Sequence, residues 1–160
     1  MNEILGTIPA SETRQYSKVA KGYTPFQNGD VLFAKITPCM QNGKSAIAEN
    51  LIGGLGFGST EFHVLRPTEI VTAEYIFWLV RRTTFRAEAE QNFTGTGGQQ
   101  RVPTSFMENH PCPIPPLPLQ KEFAERVKEI RILETAQARS RARLDALFAS
   151  LLDRAFKGEL

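Results

Sequence analysis

From Leu119 to Leu152 the chain holds no proline and no glycine, in a composition rich in alanine, glutamate, arginine and leucine. These are good helix formers. A single helix of that length extends about 50 Å, more than one small domain offers to cover it. Phe123, Ile130, Leu144 and Leu151 fall on one seven-residue repeat, and Val127 and Leu147 lie on the same stripe. Another helix is the natural complement of such a stripe, so a coiled coil is expected. The middle member of the repeat is Gln137, flanked by Glu134 and Arg141. A polar middle lowers stability and fixes register and partner choice. The alternative is a solvated helix folded back on its own domain. The alternation Ala138-Arg139-Ser140-Arg141-Ala142-Arg143 reads first as a solvated helix face. Gly158 suits the helix end.

Ahead of this segment stand Pro111, Pro113, Pro115, Pro116 and Pro118, an extended and stiff connector. The chain therefore divides into a domain at 1–112, a connector at 113–118 and a helix at 119–160. Within the domain, the opening segment 1–28 is polar and turn-rich, with room for one short strand. Asn28-Gly29-Asp30 is a turn signal. Val31 to Ile36 reads as a central strand, since both of its alternating faces are largely apolar. Asn42-Gly43 is a hairpin signal, with a second strand at Lys44 to Ala48 and a third at Glu61 to Leu65. Ala73 to Arg82 reads as a buried helix, Thr84 to Phe93 as a more polar one, and Pro103 to Glu108 as a short helical turn. The fold class is α+β: a mixed, mostly antiparallel sheet with helices, followed by one long C-terminal helix.

Composition sets limits on function. Hydrophobic residues make up 41% and charged residues 22% of 160, enough for a real core. The longest apolar patch, Tyr75 to Val80, is far short of the roughly 20 residues that cross a bilayer. Met1-Asn2-Glu3 opens no signal sequence, so a cytoplasmic protein without a membrane partner is expected. Cys39 and Cys112 stand far apart in the chain, with neither a metal spacing nor a disulfide framework. Both are read as small apolar residues. Residues 1–110 carry ten Lys/Arg and ten Asp/Glu, so there is no basic footprint to argue for nucleic acid alone.

No enzyme is legible. Gly54-Leu55-Gly56-Phe57-Gly58 has the look of a nucleotide-binding loop, but Ser59-Thr60 leads into a strand rather than a helix, so a turn is expected. His63 and His110 have no evident partners and are read as structural; no metal site is expected. The best candidate surface is the loop Thr94–Arg101. Gln99, Gln100 and Arg101 carry amide and guanidinium groups suited to base edges, and the glycines before them permit close approach. The alternative is a loop whose glutamines and arginine bond to their own domain.

Five stretches in order carry a resemblance. They are Gly29-Asp30-Val31-Leu32-Phe33-Ala34-Lys35-Ile36-Thr37-Pro38 with Asn42-Gly43-Lys44; Gly56-Phe57-Gly58-Ser59-Thr60-Glu61-Phe62; Thr94-Gly95 with Gly98-Gln99-Gln100-Arg101; Pro113-Ile114-Pro115-Pro116-Leu117 with Gln120; and Leu147-Phe148 with Arg154 through Leu160. Together they resemble one recognition half of a type I restriction–modification specificity subunit. The resemblance implies a non-catalytic target-recognition domain that reads half of a bipartite DNA site, and a spacer helix that fixes the gap. It implies methylation subunits and a restriction subunit as partners. S-adenosylmethionine and ATP with magnesium would be held by those partners, with no cofactor in this chain. It implies pairing with a second copy. It also carries over Lys35, Thr37, Asn42, Lys44, Ser59, Thr60, Gln99 and Arg101 as DNA-facing residues. Members of the family usually begin with a few dozen more residues, including a Trp-containing opening segment. The competing expectation is a truncated remnant that dimerises and scaffolds without binding DNA.

Overall fold

The computed structural model describes residues 13–96 and 98–159. The chain forms two compact units, one through Gln120 and one from Lys121 onward. In the first, helix α1 (Tyr16–Val19) precedes strands β1 (Thr24–Gln27), β2 (Val31–Ala34), β3 (Ser45–Ile47), β4 (Leu55–Gly58) and β5 (Phe62–Leu65). Helices α2 (Ala73–Arg81), α3 (Thr83–Gln91) and α4 (Thr104–Asn109) follow.

Every residue of β2 is buried, as a continuous apolar run in the middle of a sheet requires. β2 pairs antiparallel with β3 on one side and β5 on the other, Val31 standing opposite both Ile47 and Leu65. Its alternation feeds two cores. Leu32 points to a cluster with Phe26, Ala48, Phe62 and Val64. Phe33 points the other way, into Met40, Val80, Phe85, Ala89 and Val102. Val31 joins Ile76 and Phe77 of α2. The sheet is thus a middle layer, with α2 and α3 against one face.

The other face meets a separate two-stranded ribbon in which β1 pairs with β4. The sequence reading expects one mixed sheet and a turn at the glycine run; the structure has two sheets, every described strand pairing antiparallel, and the run is strand β4. The glycines are needed for packing. A Cβ on Gly56 would lie 2.4 Å from the Phe26 ring, and one on Gly58 2.7 Å from the Phe62 ring. Bare backbone lets those two rings meet edge-to-face at 6.0 Å.

Asp30, 1% exposed, holds the β1–β2 turn. Its carboxylate accepts from the Gln27 amide at 2.8 Å and, through both oxygens, from Arg66 Nε and Nη2 at 2.8 Å each. Burial alone would push its pKa up; the Arg66 bonds and the Gln27 amide outweigh it and hold the carboxyl below its usual range.

The long helix α5 runs Leu117–Lys157, 41 residues. It starts earlier than the proline connector suggests, because Pro118 falls in the first turn, where its missing N–H has no helical partner to lose. Gln120 closes the first unit. Its fully buried amide accepts from Thr72 N at 2.9 Å and donates to the Ile70 and Pro115 carbonyls at 2.8 and 2.7 Å. Tyr75 Oη donates to the Pro113 carbonyl at 2.6 Å, fixing the strap before it. In the second unit no described residue is buried. Ile130, Leu144, Leu147 and Leu151 are exposed, and so is Phe123. Leu133, Phe148, Leu152 and Phe156 widen the apolar surface beyond the expected stripe. Cys112 is exposed rather than packed as a small apolar residue, and Cys39 is half-buried.

Candidate nucleic-acid interface

The segment 94–101 is a loop closed at its neck. Thr94 and Arg101 exchange both backbone hydrogen bonds, at 3.0 and 2.9 Å. Gly95 and Gly98 adopt φ of +105° and +80°, which suits glycine. A second strip of chain runs alongside. Ile36 bridges Arg101, the Thr37 amide donates to the Gln100 carbonyl at 3.0 Å, and Thr37 Oγ1 donates to the Gly98 carbonyl at 2.7 Å. The Val102 amide, next in line, donates to the Lys35 carbonyl at 2.9 Å. Segments far apart in sequence therefore share one small platform.

Arg101 ties the platform to the turn before β5. Its Nε and Nη2 donate to the two carboxylate oxygens of Glu61 at 2.8 and 2.9 Å, and its Nη1 donates to the Gln99 carbonyl at 2.9 Å. The Arg101 bonds hold the Glu61 carboxyl below its usual range, opposed by desolvation, with Lys35 adding a smaller pull downward. Ser59 Oγ accepts the Glu61 amide at 3.1 Å, and Glu61's carbonyl accepts Lys35 N at 3.0 Å. Beneath the platform, His63 Nε2 donates to the Val102 carbonyl at 2.9 Å. Burial pushes the His63 pKa down, the Val102 bond opposes this, and Lys35 adds to the depression. His63 thus has a structural partner, as does His110, whose ring packs edge-on to Phe85 with Nδ1 3.6 Å from Glu88.

The structure therefore brings Lys35, Thr37, Ser59, Thr60, Gln99 and Arg101 to one end of the sheets. Thr60, Gln99 and Gln100 are exposed there. Lys44 stands opposite Ala34, its carbonyl accepting the Ala34 amide at 2.9 Å, so it too lies at this end of the central sheet, while Asn42 sits in the long β2–β3 connection. That connection replaces the tight hairpin which Asn42-Gly43 suggests. Two helix arginines hold it: Arg81 Nη1 donates to the Gly43 carbonyl at 3.1 Å, and Arg86 Nη1 donates to the Gln41 carbonyl. Asn42 is left exposed between them. Sequence reasoning missed Glu61 as a site residue, and it missed Tyr23, 42% exposed, which the pairing of Thr24 with Gly58 brings next to Ser59. Nothing local in the sequence marks that pairing.

Among the described residues no group of three or more His, Cys, Asp or Glu is placed to hold a metal. Among the described residues no helix is long and apolar enough to cross a membrane. A neck-tied loop with outward amides, on a scaffold of two small sheets, has the form of a macromolecule-binding module. The chain belongs to the family of the type I restriction modification DNA specificity domain, whose model matches residues 3–140. It is 41% identical over 137 residues to the EcoAI type I restriction enzyme specificity subunit of Escherichia coli and 39% identical to the EcoEI specificity subunit of the same organism. Each match takes in 84% of this chain and 23% of the relative, so the chain spans about a quarter of their length. A chain from a solved structure describing complex assembly and conformational transition of the type I R-M system superposes with a TM-score of 0.59 at 26% identity. That match covers 86% of this chain and 33% of the other.

Proposed function

We propose that the chain is a sequence-recognition module of a type I restriction–modification system, reading one half of a bipartite duplex site without chemistry of its own. Family membership supports this, and one structural observation carries it to particular residues: the loop 94–101 is tied at its neck and presents the Gln99 and Gln100 amides outward. A side-chain amide matches the donor–acceptor edge of adenine in the major groove. In this reading Lys35 and Thr37 flank the loop, Ser59 and Thr60 lie beside it, and Asn42 and Lys44 form a second contact. Polar and charged side chains of that kind position a protein on phosphates.

The domain assignment follows: 1–112 recognises, 113–118 connects and 119–160 spaces. The exposed stripe of Phe123, Val127, Ile130, Leu144, Leu147 and Leu151 takes a second copy of the chain as its partner, rebuilding a two-fold arrangement. Methylation and restriction subunits are the remaining partners, in the cytoplasm, and hold the S-adenosylmethionine and the ATP with magnesium.

The test measures solution mass and duplex affinity with and without a cognate methylation subunit, at low and moderate salt. A dimer whose salt-sensitive DNA binding is present or is gained with the methylation subunit supports the reading. A dimer that binds the methylation subunit but never DNA replaces it with a scaffold role, and indifference to both removes it.

A further inference from the structure

Arg101 sits in the surface proposed to read DNA, yet its guanidinium is already engaged on three fronts. Of its five N–H groups, those on Nε and Nη2 form a fork onto both oxygens of Glu61, and Nη1 reaches the Gln99 carbonyl. Its backbone is held as firmly, paired in both directions with Thr94 and bridged to Ile36. We propose that Arg101 and Glu61 are a positioning pair, which sets the backbone of Gln99 and Gln100 for base reading, and that Arg101 does not itself contact DNA. This rests on the DNA-reading function proposed above.

The geometry supports a positioning role. The Gln99 carbonyl is fixed by Arg101, and the Gln100 carbonyl is fixed by the Thr37 amide. Both peptide planes are therefore set while both side chains stay exposed. Paired recognition of an adenine edge needs an amide held in plane with the base, and a loop free to rock loses that alignment. The ion pair is 35% and 34% exposed. A lone pair at that exposure contributes little, but this one is a fork backed by a carbonyl and two bridges. The pair also cancels its own charge, so it adds no attraction to phosphates. That agrees with the neutral balance of residues 1–110. A bidentate contact from Arg101 to a base would compete with Glu61 for the same fork.

The experiment uses the full chain, with its methylation partner if binding needs one. The salt slope of affinity is measured on a mixed-sequence duplex, and sequence preference by selection from a randomised duplex pool. Wild type is compared with Arg101→Gln, Arg101→Lys and Glu61→Gln. In the positioning role all three lose about tenfold in preference between selected and unselected sequences, and the charge-conserving Arg101→Lys keeps the wild-type salt slope. Arg101→Lys is included because it keeps the charge but cannot form the fork. Amide exchange at Thr37, whose N–H is held by the Gln100 carbonyl, rises in each variant. The proposal is overturned if Arg101→Gln flattens the slope by about 0.9, as loss of one phosphate contact does, while Arg101→Lys behaves as wild type. It is overturned equally if Glu61→Gln leaves the sequence preference at the wild-type level, since the fork that sets the loop is then not needed for reading. A wild type with no salt-dependent binding removes the DNA-reading function itself, a result seen before any variant is made.

Discussion

The two units solve the problem of apolar surface in opposite ways. The first covers its own: Phe33, Leu32, Val31, Met40 and Val80 are all at or below 1% exposure, and its two sheets and helices supply the cover. The second leaves Leu144, Leu147 and Phe148 at 56–64% exposure on a helix that has no buried described residue beyond Gln120. Charge follows the same division. In the first unit acidic groups are specific and structural, Asp30 on Arg66 and Glu61 on Arg101. In the second they form neighbouring pairs along a solvated surface, such as Arg126 with Glu122 and Glu129. A domain that covers its own apolar surface and a helix that leaves its own uncovered are therefore joined in one chain, and each responds to different perturbations.

Truncating one large apolar side chain in each unit gives the sharpest contrast. Phe33→Ala should lower the stability of the first unit by about 3–5 kcal/mol, read from denaturant unfolding followed by Trp78 fluorescence, with self-association unchanged. In the proposed pairing with a second copy, Leu147→Ala should do the reverse, weakening self-association by about 100-fold since each copy would lose a leucine from the shared seam, with the Trp78 midpoint unmoved. A Leu147 variant that shifts the Trp78 midpoint breaks the division.

Acid provides the next contrast. His63 has its pKa depressed in the folded state, so the unfolded chain takes up that proton first and stability falls as pH drops below about 6.5. Asp30 and Glu61 also have lowered values. Their contribution is present above the unfolded carboxylate range near about pH 4 and is lost as pH falls through their folded values. All three act in the same direction, so the first unit should lose stability in two steps on acidification. The helix signal in circular dichroism should persist where the Trp78 signal has collapsed. Parallel loss of both signals counts against separate units.

The smallest effect is expected at Arg126. Its two partners are i−4 and i+3 on an exposed helix surface, and such pairs contribute less than about 0.5 kcal/mol. Arg126→Ala should therefore leave thermal unfolding nearly unchanged. A larger loss shows that this surface is covered in solution.

What the sequence made legible follows the range of the interactions. The β2 strand could be read because its burial on both faces is written in consecutive residues. The long helix could be read because nothing between Leu119 and Leu152 breaks it. β4 could not, because three of its features argue against a strand: glycine at alternate positions, no alternation of polarity, and a partner, β1, that lies far back in the chain. It is a strand because Phe26 and Phe62 occupy the space its missing side chains leave. The candidate site was legible as residue types but not as an assembly. Gln99 and Arg101 stand out locally; that Thr37 and Glu61 hold them is set by pairings between distant segments. Asn42 and Lys44 read alike as followers of Lys35 and Thr37; Lys44 is kept beside Ala34, while Asn42 lies between the carbonyls that Arg81 and Arg86 hold.

The neck formed by Thr94 and Arg101 has a consequence for inheritance. Gln99 and Gln100 lie between them with their carbonyls bonded to Arg101 and Thr37 and their side chains exposed, so the fold constrains their backbone and not their side-chain identity. Lengthening such a loop is inexpensive, each doubling adding roughly 0.6 kcal/mol. Mutations can thus accumulate at the tip while the scaffold stays under constant selection. Side chains there can change from one lineage to the next without the fold being relearned.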